Sequence, residues 1–181
     1  QMRYDLIQRY WDKFSDRGFK RLIDNGTFCS NAYYDYIFTE SAPGYATIST
    51  GSNPSEHGII SNKWYVSLTG KEQFCIDDAG LKNGSDEFKR NSFSPALIIG
   101  STIGDELRLS NYKQSKVIGV SLKNYAAILS AGNLANAAYW MDILTGDWTS
   151  SSFYMDSLPP WVKKFNDKEF AKLYLKREWT T

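Results

Sequence analysis

This chain of 181 residues has a single histidine, His57, and two cysteines, Cys29 and Cys75. So few soft donors exclude a self-contained zinc finger or iron–sulfur site, and two cysteines make no disulfide scaffold. A Cys29–Cys75 bridge would add about 4 kcal/mol through chain entropy, but two unpaired thiols are at least as good a reading. Charge of one sign is lacking too: 21 Lys and Arg against 20 Asp and Glu leave a formal charge of +1. That removes the electrostatic footprint of a nucleic-acid binder, and no acidic tail is present. No apolar run reaches the ~18 residues of a membrane span, and no signal-peptide pattern opens the chain. The chain begins at Gln1 without an initiator Met, and helical patterns lie close to both ends. The expectation is a piece of a longer protein. Repeats, low-complexity tracts and linkers are missing as well.

What is abundant is aromatic surface: twelve Tyr, ten Phe and six Trp. Glycan-binding faces look like this, but so does a well-packed core with Tyr and Trp at its rim, which is the favoured reading. Tyr4, Ile7, Tyr10, Trp11 and Phe14 recur at helical spacing, predicting a helix over residues 3–14. Phe19 to Asp24 reads as a short helix stopped at Asn25-Gly26. Residues 28–38 read as an aromatic strand leading to Ser41. Pro43 sits in the first turn of the next helix, which Gly51 ends. Strands at 62–66 and 73–76 flank a turn, and residues 77–93 read as a surface loop. Ser94-Pro95 reads as the start of a helix reaching Leu109, with Ser94 as its cap. Lys116 to Leu122 has the continuous apolar pattern of a strand buried on both faces. A hairpin around Thr145-Gly146-Asp147 and a helical region from Pro159-Pro160-Trp161 through Tyr174 complete the pattern. Helix and buried strand in alternation predict an α/β fold with a largely parallel central sheet flanked by helices. Ligands bind beyond the carboxyl ends of strands in such sheets, and Ser41 and Lys123 each follow a strand.

Ser41 lies where a polar turn enters a helix, within TESAPGYATISTGSNPSEHGIISN. Backbone N–H groups at a helix start suit an anion, so Ser41 is either a nucleophile poised at a phosphate or oxyanion site or a plain helix cap. A serine needs activation. His57 is one candidate base, but no Gly-x-Ser-x-Gly elbow is present, and a turn such as Asn53-Pro54-Ser55-Glu56-His57-Gly58 favours a structural histidine. A metal ion is the other route, and no complete metal site is legible; Asp77-Asp78 reads as a solvated turn.

The Gln1-Met2-Arg3-Tyr4-Asp5 run, the Ser41 to Asn62 stretch and Ser115-Lys116-Val117-Ile118-Gly119-Val120-Ser121-Leu122-Lys123 resemble the alkaline phosphatase superfamily. Ala131-Gly132, Ala138-Tyr139-Trp140 and Leu158-Pro159-Pro160-Trp161-Val162 extend the likeness over nearly the whole chain. It is most similar to bacterial periplasmic phosphatases with a Thr or Ser nucleophile. The Thr50-Gly51, His57-Gly58-Ile59 and Asn62 run also resembles the nucleotide pyrophosphatase/phosphodiesterase branch.

The resemblance implies that Ser41 attacks phosphorus, becomes a covalent phosphoserine and ligates one of two zinc ions. Thr39 and Thr47 do not match that position. Asn62 then hydrogen-bonds a phosphate oxygen, and Lys123 reaches one from the end of a buried strand. Asn124 and Tyr125 complete the substrate-binding set, with one departure: phosphomonoesterase relatives read Lys-Asp-Arg where this chain has Lys123-Asn124-Tyr125. An arginine would clamp a phosphate dianion with two charged hydrogen bonds, whereas Tyr125 offers one neutral bond.

The implied protein is a periplasmic or secreted, metal-dependent hydrolase of small phosphate monoesters, with this chain the N-terminal portion of one catalytic domain, truncated at both ends. Because the other zinc ligands of the family fall outside residues 1–181, the chain alone is expected to be inactive. The alternatives are a phosphodiesterase or nucleotide pyrophosphatase of the same superfamily, or a non-catalytic aromatic-rich binding module.

Overall fold

The computed structural model describes residues 3–81, 88, 91–175 and 178. The chain forms two compact units, Gln1–Ile37 and Phe38–Thr181.

In the first unit, helix α1 (Tyr4–Arg9) ends where Tyr10 leaves helical geometry at φ −109°, ψ 17°, and a 3-10 turn follows at Trp11–Lys13. The single helix expected over 3–14 is therefore split. Helix α2 (Phe19–Asn25) ends at Gly26. Ring contacts pack this unit, with Phe14 and Phe19 centroids 4.9 Å apart and Tyr4 stacked on Phe28 at 5.9 Å. Residues 28–38 form no strand. Aromatic content alone does not make one: a strand needs a neighbour for its ladder groups, and none of the described strands pairs with this segment.

The second unit opens with α3 (Ser41–Thr50), whose small residues Ala42, Gly44, Ala46 and Ser49 are buried. Gly51 ends it at φ 69°, its N–H donating to the Thr47 carbonyl. A one-turn helix α4 (Pro54–His57) starts on an Asn53–Glu56 capping box and stops at Gly58, φ 80°. Strands β1 (Lys63–Val66) and β2 (Lys71–Phe74) form an antiparallel hairpin with Lys63 opposite Phe74. The sequence placed the second strand two residues late. Asp77 bridges Phe93; of the expected loop between them, residues 82–87, 89 and 90 lie outside the described residues.

The helix expected with Ser94 as its cap starts eight residues later, as α5 (Ile103–Ser110). Thr102 is its cap, reciprocated by Asp105 at the third position. Ser94 uses its hydroxyl on the Asp78 carboxylate at 2.6 Å, and Gly100, at φ 95°, breaks the path between them. Ser94 does accept the local cap bond, from Ala96 N–H at 3.1 Å, but only a single turn follows it, closed by Ile98 N–H on the Pro95 carbonyl.

Strand β3 (Ile118–Ser121), helix α6 (Asn124–Ala131) and β4 (Ala137–Met141) make a parallel βαβ unit in register Ile118↔Ala137 through Ser121↔Trp140. Strand β5 (Trp148–Thr149) adds to β4 antiparallel. Helices α7 (Pro160–Asn166) and α8 (Phe170–Leu175) follow, parted at Glu169, φ 48°. The α/β class holds, its parallel part being the β3–α6–β4 unit. β4 is covered on both faces: Ala138 and Trp140 join α3 and α6 in one cluster, while Ala137 and Tyr139 meet Leu158 and Val162 in another. β3 is not buried on both faces as its sequence suggested. Gly119 is buried against α6, but Ile118 and Val120 are 56% and 63% exposed, because no described element covers that face.

Candidate active site

The start of α3 is built by three residues. Glu40 is extended at φ −66°, ψ 169°, and its carbonyl accepts the first helical bond from Gly44 N–H at 3.1 Å. Ser41 is then the first helical residue, half-buried. Ala42 N–H does not point to open solvent; it donates to Asn62 Oδ1 at 2.8 Å. Pro43 has no N–H to give. The helix therefore contributes the positive end of its dipole more than a row of vacant donors.

That bond also fixes which way the Asn62 amide faces. Only the carbonyl oxygen can accept from Ala42, so the NH2 end of Asn62 is the end presented as a donor. The Asn62 backbone N–H donates to Glu40 Oε2 at 2.6 Å, and Ser61 Oγ donates to the same oxygen at 2.7 Å. These bonds hold the Glu40 carboxyl below the usual carboxylate range. Asn62 immediately precedes β1, so the hairpin and α3 meet at this point.

Lys123 lies between β3 and α6, as the residue preceding the helix, and its side chain reaches Tyr125. Its ammonium lies 5.6 Å from the Tyr125 ring centroid, and the Tyr125 side chain raises the lysine's pKa. The Tyr125 ring is 9% exposed and packs in the core, 6.0 Å from Phe74 and 6.4 Å from Tyr45 between centroids. Asn124 is half-buried and turns its side-chain oxygen onto Tyr125 N–H at 2.8 Å. Tyr45 joins the two halves of the site. It lies one turn from Ser41 on α3, hence on the same helix face, and packs on the ring that Lys123 touches. Asn62 thus sits at the start of α3, and α3 meets the Lys123 loop at the end of β3 through the Tyr45–Tyr125 ring contact. Beside it a groove of about 420 Å³ runs along the carboxyl ends of β3 and β4, lined by Phe93, Leu122, Trp140 and Met141 among others.

His57 is enclosed by the fold. Its Nδ1 accepts from Ile59 N–H at 3.1 Å, so the ring proton sits on Nε2 and points to Thr47 Oγ1, also at 3.1 Å. Burial lowers its pKa and keeps it neutral. Nε2 ties α4 to α3 through Thr47, and Nδ1 holds the turn after α4 through Ile59 N–H. Cys29 is an exposed thiol and Cys75 a buried one, and burial pushes the Cys75 pKa up to about 12, which disables it as a nucleophile.

Sequence reasoning missed Glu40 and Tyr45, and weighed Thr47 only as a nucleophile, not as the partner of His57. An acidic residue before a helix reads as ordinary dipole compensation, and nothing local says that Glu40 reaches across 22 positions to Asn62. Among the described residues no group of three His, Cys, Asp or Glu side chains is placed to hold a metal. Ser41 offers one oxygen, so the described residues do not by themselves fit a zinc centre. No described helix is long and apolar enough to cross a membrane.

Residues 1–179 match the type I phosphodiesterase / nucleotide pyrophosphatase family. The chain is 44% identical over its whole length to a Myroides odoratus protein named calcium-transporting ATPase, and 39% identical to alkaline phosphatase PhoV of Synechococcus elongatus. It is 38% identical to alkaline phosphatase PafA of Elizabethkingia meningoseptica. All of the chain superposes on the crystal structure of wild type PafA with a TM-score of 0.91, covering 35% of that protein. A crystallised PafA variant, in which a threonine becomes serine and an asparagine, a lysine and an arginine become alanine, superposes equally well. The chain spans about a third of the length of the curated relatives it matches. It belongs to the type I phosphodiesterase / nucleotide pyrophosphatase family, on the alkaline phosphatase fold of PafA.

Proposed function

We propose that this chain is the N-terminal portion of the catalytic domain of a periplasmic or secreted hydrolase of small phosphate monoesters. Ser41 is the nucleophile, and Asn62, Lys123, Asn124 and Tyr125 form the substrate edge. The observation that carries the reading is the Ala42 N–H bond to Asn62 Oδ1, which commits the Asn62 NH2 group to donate beside the nucleophile. The PafA variant adds support: its altered threonine, asparagine, lysine and arginine have Ser41, Asn62, Lys123 and Tyr125 as counterparts in chain order, with one residue between the last two in both proteins.

In this reading Ser41 Oγ forms a bond to phosphorus as the ester P–O bond breaks, and the leaving oxygen takes up a proton. Water then attacks the phosphoserine, releasing phosphate and restoring the hydroxyl. Asn62 donates to a phosphoryl oxygen, the α3 dipole favours the anion, and Lys123 adds a positive charge. Two zinc ions, one of them on Ser41, belong to the proposal for the whole protein, where their chemistry would be to acidify the hydroxyl. The described residues hold no such centre, so the steps above are stated for the chain's own groups. The organic part of the ester lies in the groove beside Lys123.

A second reading, diester hydrolysis, is favoured by Tyr125. A monoester carries about one more negative charge than a diester at neutral pH, and a buried neutral ring does not answer that charge. The test of the main reading is Ser41→Ala in the full-length, zinc-loaded protein with an aryl phosphate. A loss of at least about 1,000-fold in kcat is expected; wild-type turnover would remove Ser41 from the role.

A further inference from the structure

The residue before the nucleophile carries a job that cap chemistry does not explain. Glu40 is the N-cap of α3, yet its side chain makes no capping bond to its own helix. Its Oε2 instead accepts from Asn62 N–H at 2.6 Å and from Ser61 Oγ at 2.7 Å. The return contact runs the other way, from Ala42 N–H to Asn62 Oδ1 at 2.8 Å. The residues on either side of Ser41 therefore grip the same asparagine, one by its backbone and one by its side chain. A two-point grip fixes both the position and the rotation of Asn62, and one of its bonds is charge-assisted.

We propose that Glu40 is a positioning residue that sets the Asn62 amide against Ser41, through the paired bonds Glu40–Asn62 and Ala42–Asn62. This rests on the reading of Asn62 as a phosphate donor. The role proposed for Glu40 runs through the Asn62 backbone amide, with Ser61 held on the same carboxylate oxygen. The segment from Ser41 to Asn62 closes on itself through these bonds, so the two active groups keep their spacing whatever the intervening helices do.

The experiment is a double-mutant cycle on the full-length, zinc-loaded protein with an aryl phosphate, reading kcat. Glu40→Ala should lower kcat about 10- to 100-fold, and Glu40→Gln, which retains a carbonyl oxygen at the same reach, should recover most of it. In the Asn62→Ala background the Glu40→Ala change should cost less than about twofold further, because the side chain it positions is gone. Amide hydrogen exchange at both Asn62 and Ala42 should quicken in Glu40→Ala, since the two bonds brace each other. If Glu40→Ala does not fold, Glu40→Asp, one methylene short of Asn62, gives the same cycle. Losses that multiply in the double variant, or wild-type kcat in Glu40→Ala, would overturn the proposal while leaving Asn62 in its role. Wild-type kcat in Asn62→Ala would overturn the phosphate-donor reading and the positioning role with it.

Discussion

Tyr125 is the residue at which charge leaves the site. Its ring fills core space beside Phe74 and Tyr45, with the Lys123 ammonium 5.6 Å from the ring centroid. An arginine there would bring a permanent cation with paired donors, suited to a dianion. Tyr125→Arg in the full-length protein should raise the ratio of monoester to diester turnover by about tenfold, the scale of one charge-assisted hydrogen bond. An unchanged ratio would sink the argument. The same variant should lose stability, because a ring is removed from the core.

His57 shows the opposite use of a titratable group. Its folded pKa is depressed by burial, so the unfolded chain takes up a proton first as pH falls below about 6.5. Stability contributed by the neutral ring is complete above that value and declines as pH drops towards the lowered pKa, with a slope of at most about 1.4 kcal/mol per pH unit. Urea unfolding of this chain between pH 7.5 and 5.5 should show the decline, and His57→Gln should flatten that part of it. An identical slope in the variant would mean that His57 is protonated in the fold.

At the scale of elements, the site depends on how closely β3 approaches α6. Gly119 lets the strand lie against the helix: a Cβ built there would stand 2.2 Å from the Ala127 carbonyl oxygen. That oxygen is backbone, so the strand must move away. Gly119→Ala should destabilise the chain by about 1–3 kcal/mol in urea unfolding, in the range of an overpacked core, and should displace Lys123 at the strand's end. A change under 0.5 kcal/mol would show that β3 and α6 have slack. Gly132 is a second tight point, at φ 86° with Thr102 Oγ1 2.1 Å from a built Cβ, which locks the exit of α6 to the Thr102–Asp105 cap of α5.

Elements with their own signals were legible in the sequence. Pro43 and Gly51 bracket α3, and the apolar runs that become β3 and β4 read as strands; α6 between them was not read, and Lys123 before it makes no side-chain cap. What failed depended on partners elsewhere. The 28–38 segment has strand composition and no strand beside it. Ser94 caps a turn that does not continue into a helix, and β3 looks buried on both faces although the described residues cover one.

For the whole molecule, the chain spans a third of the length of its relatives, and the proposed nucleophile Ser41 and the proposed phosphate donor Asn62 are already joined within it. Ser41, Asn62 and Lys123 are proposed from the sequence by resemblance; the paired bonds joining the segment around Ser41 to Asn62 were not legible there, because Glu40 bonds a backbone amide 22 positions away. Among the described residues no group of three His, Cys, Asp or Glu side chains is placed to hold a metal.

The central claim is covalent chemistry at Ser41, and acid quenching of a single turnover tests it most directly. The full-length protein is mixed with an aryl phosphate, stopped in acid within milliseconds and digested for peptide mass analysis. The account predicts one phosphorylated peptide, modified at Ser41, that forms with the burst of aryl alcohol and disappears on further turnover. A burst with phosphate on another residue, or steady turnover with no phosphorylated peptide at any time, would contradict it.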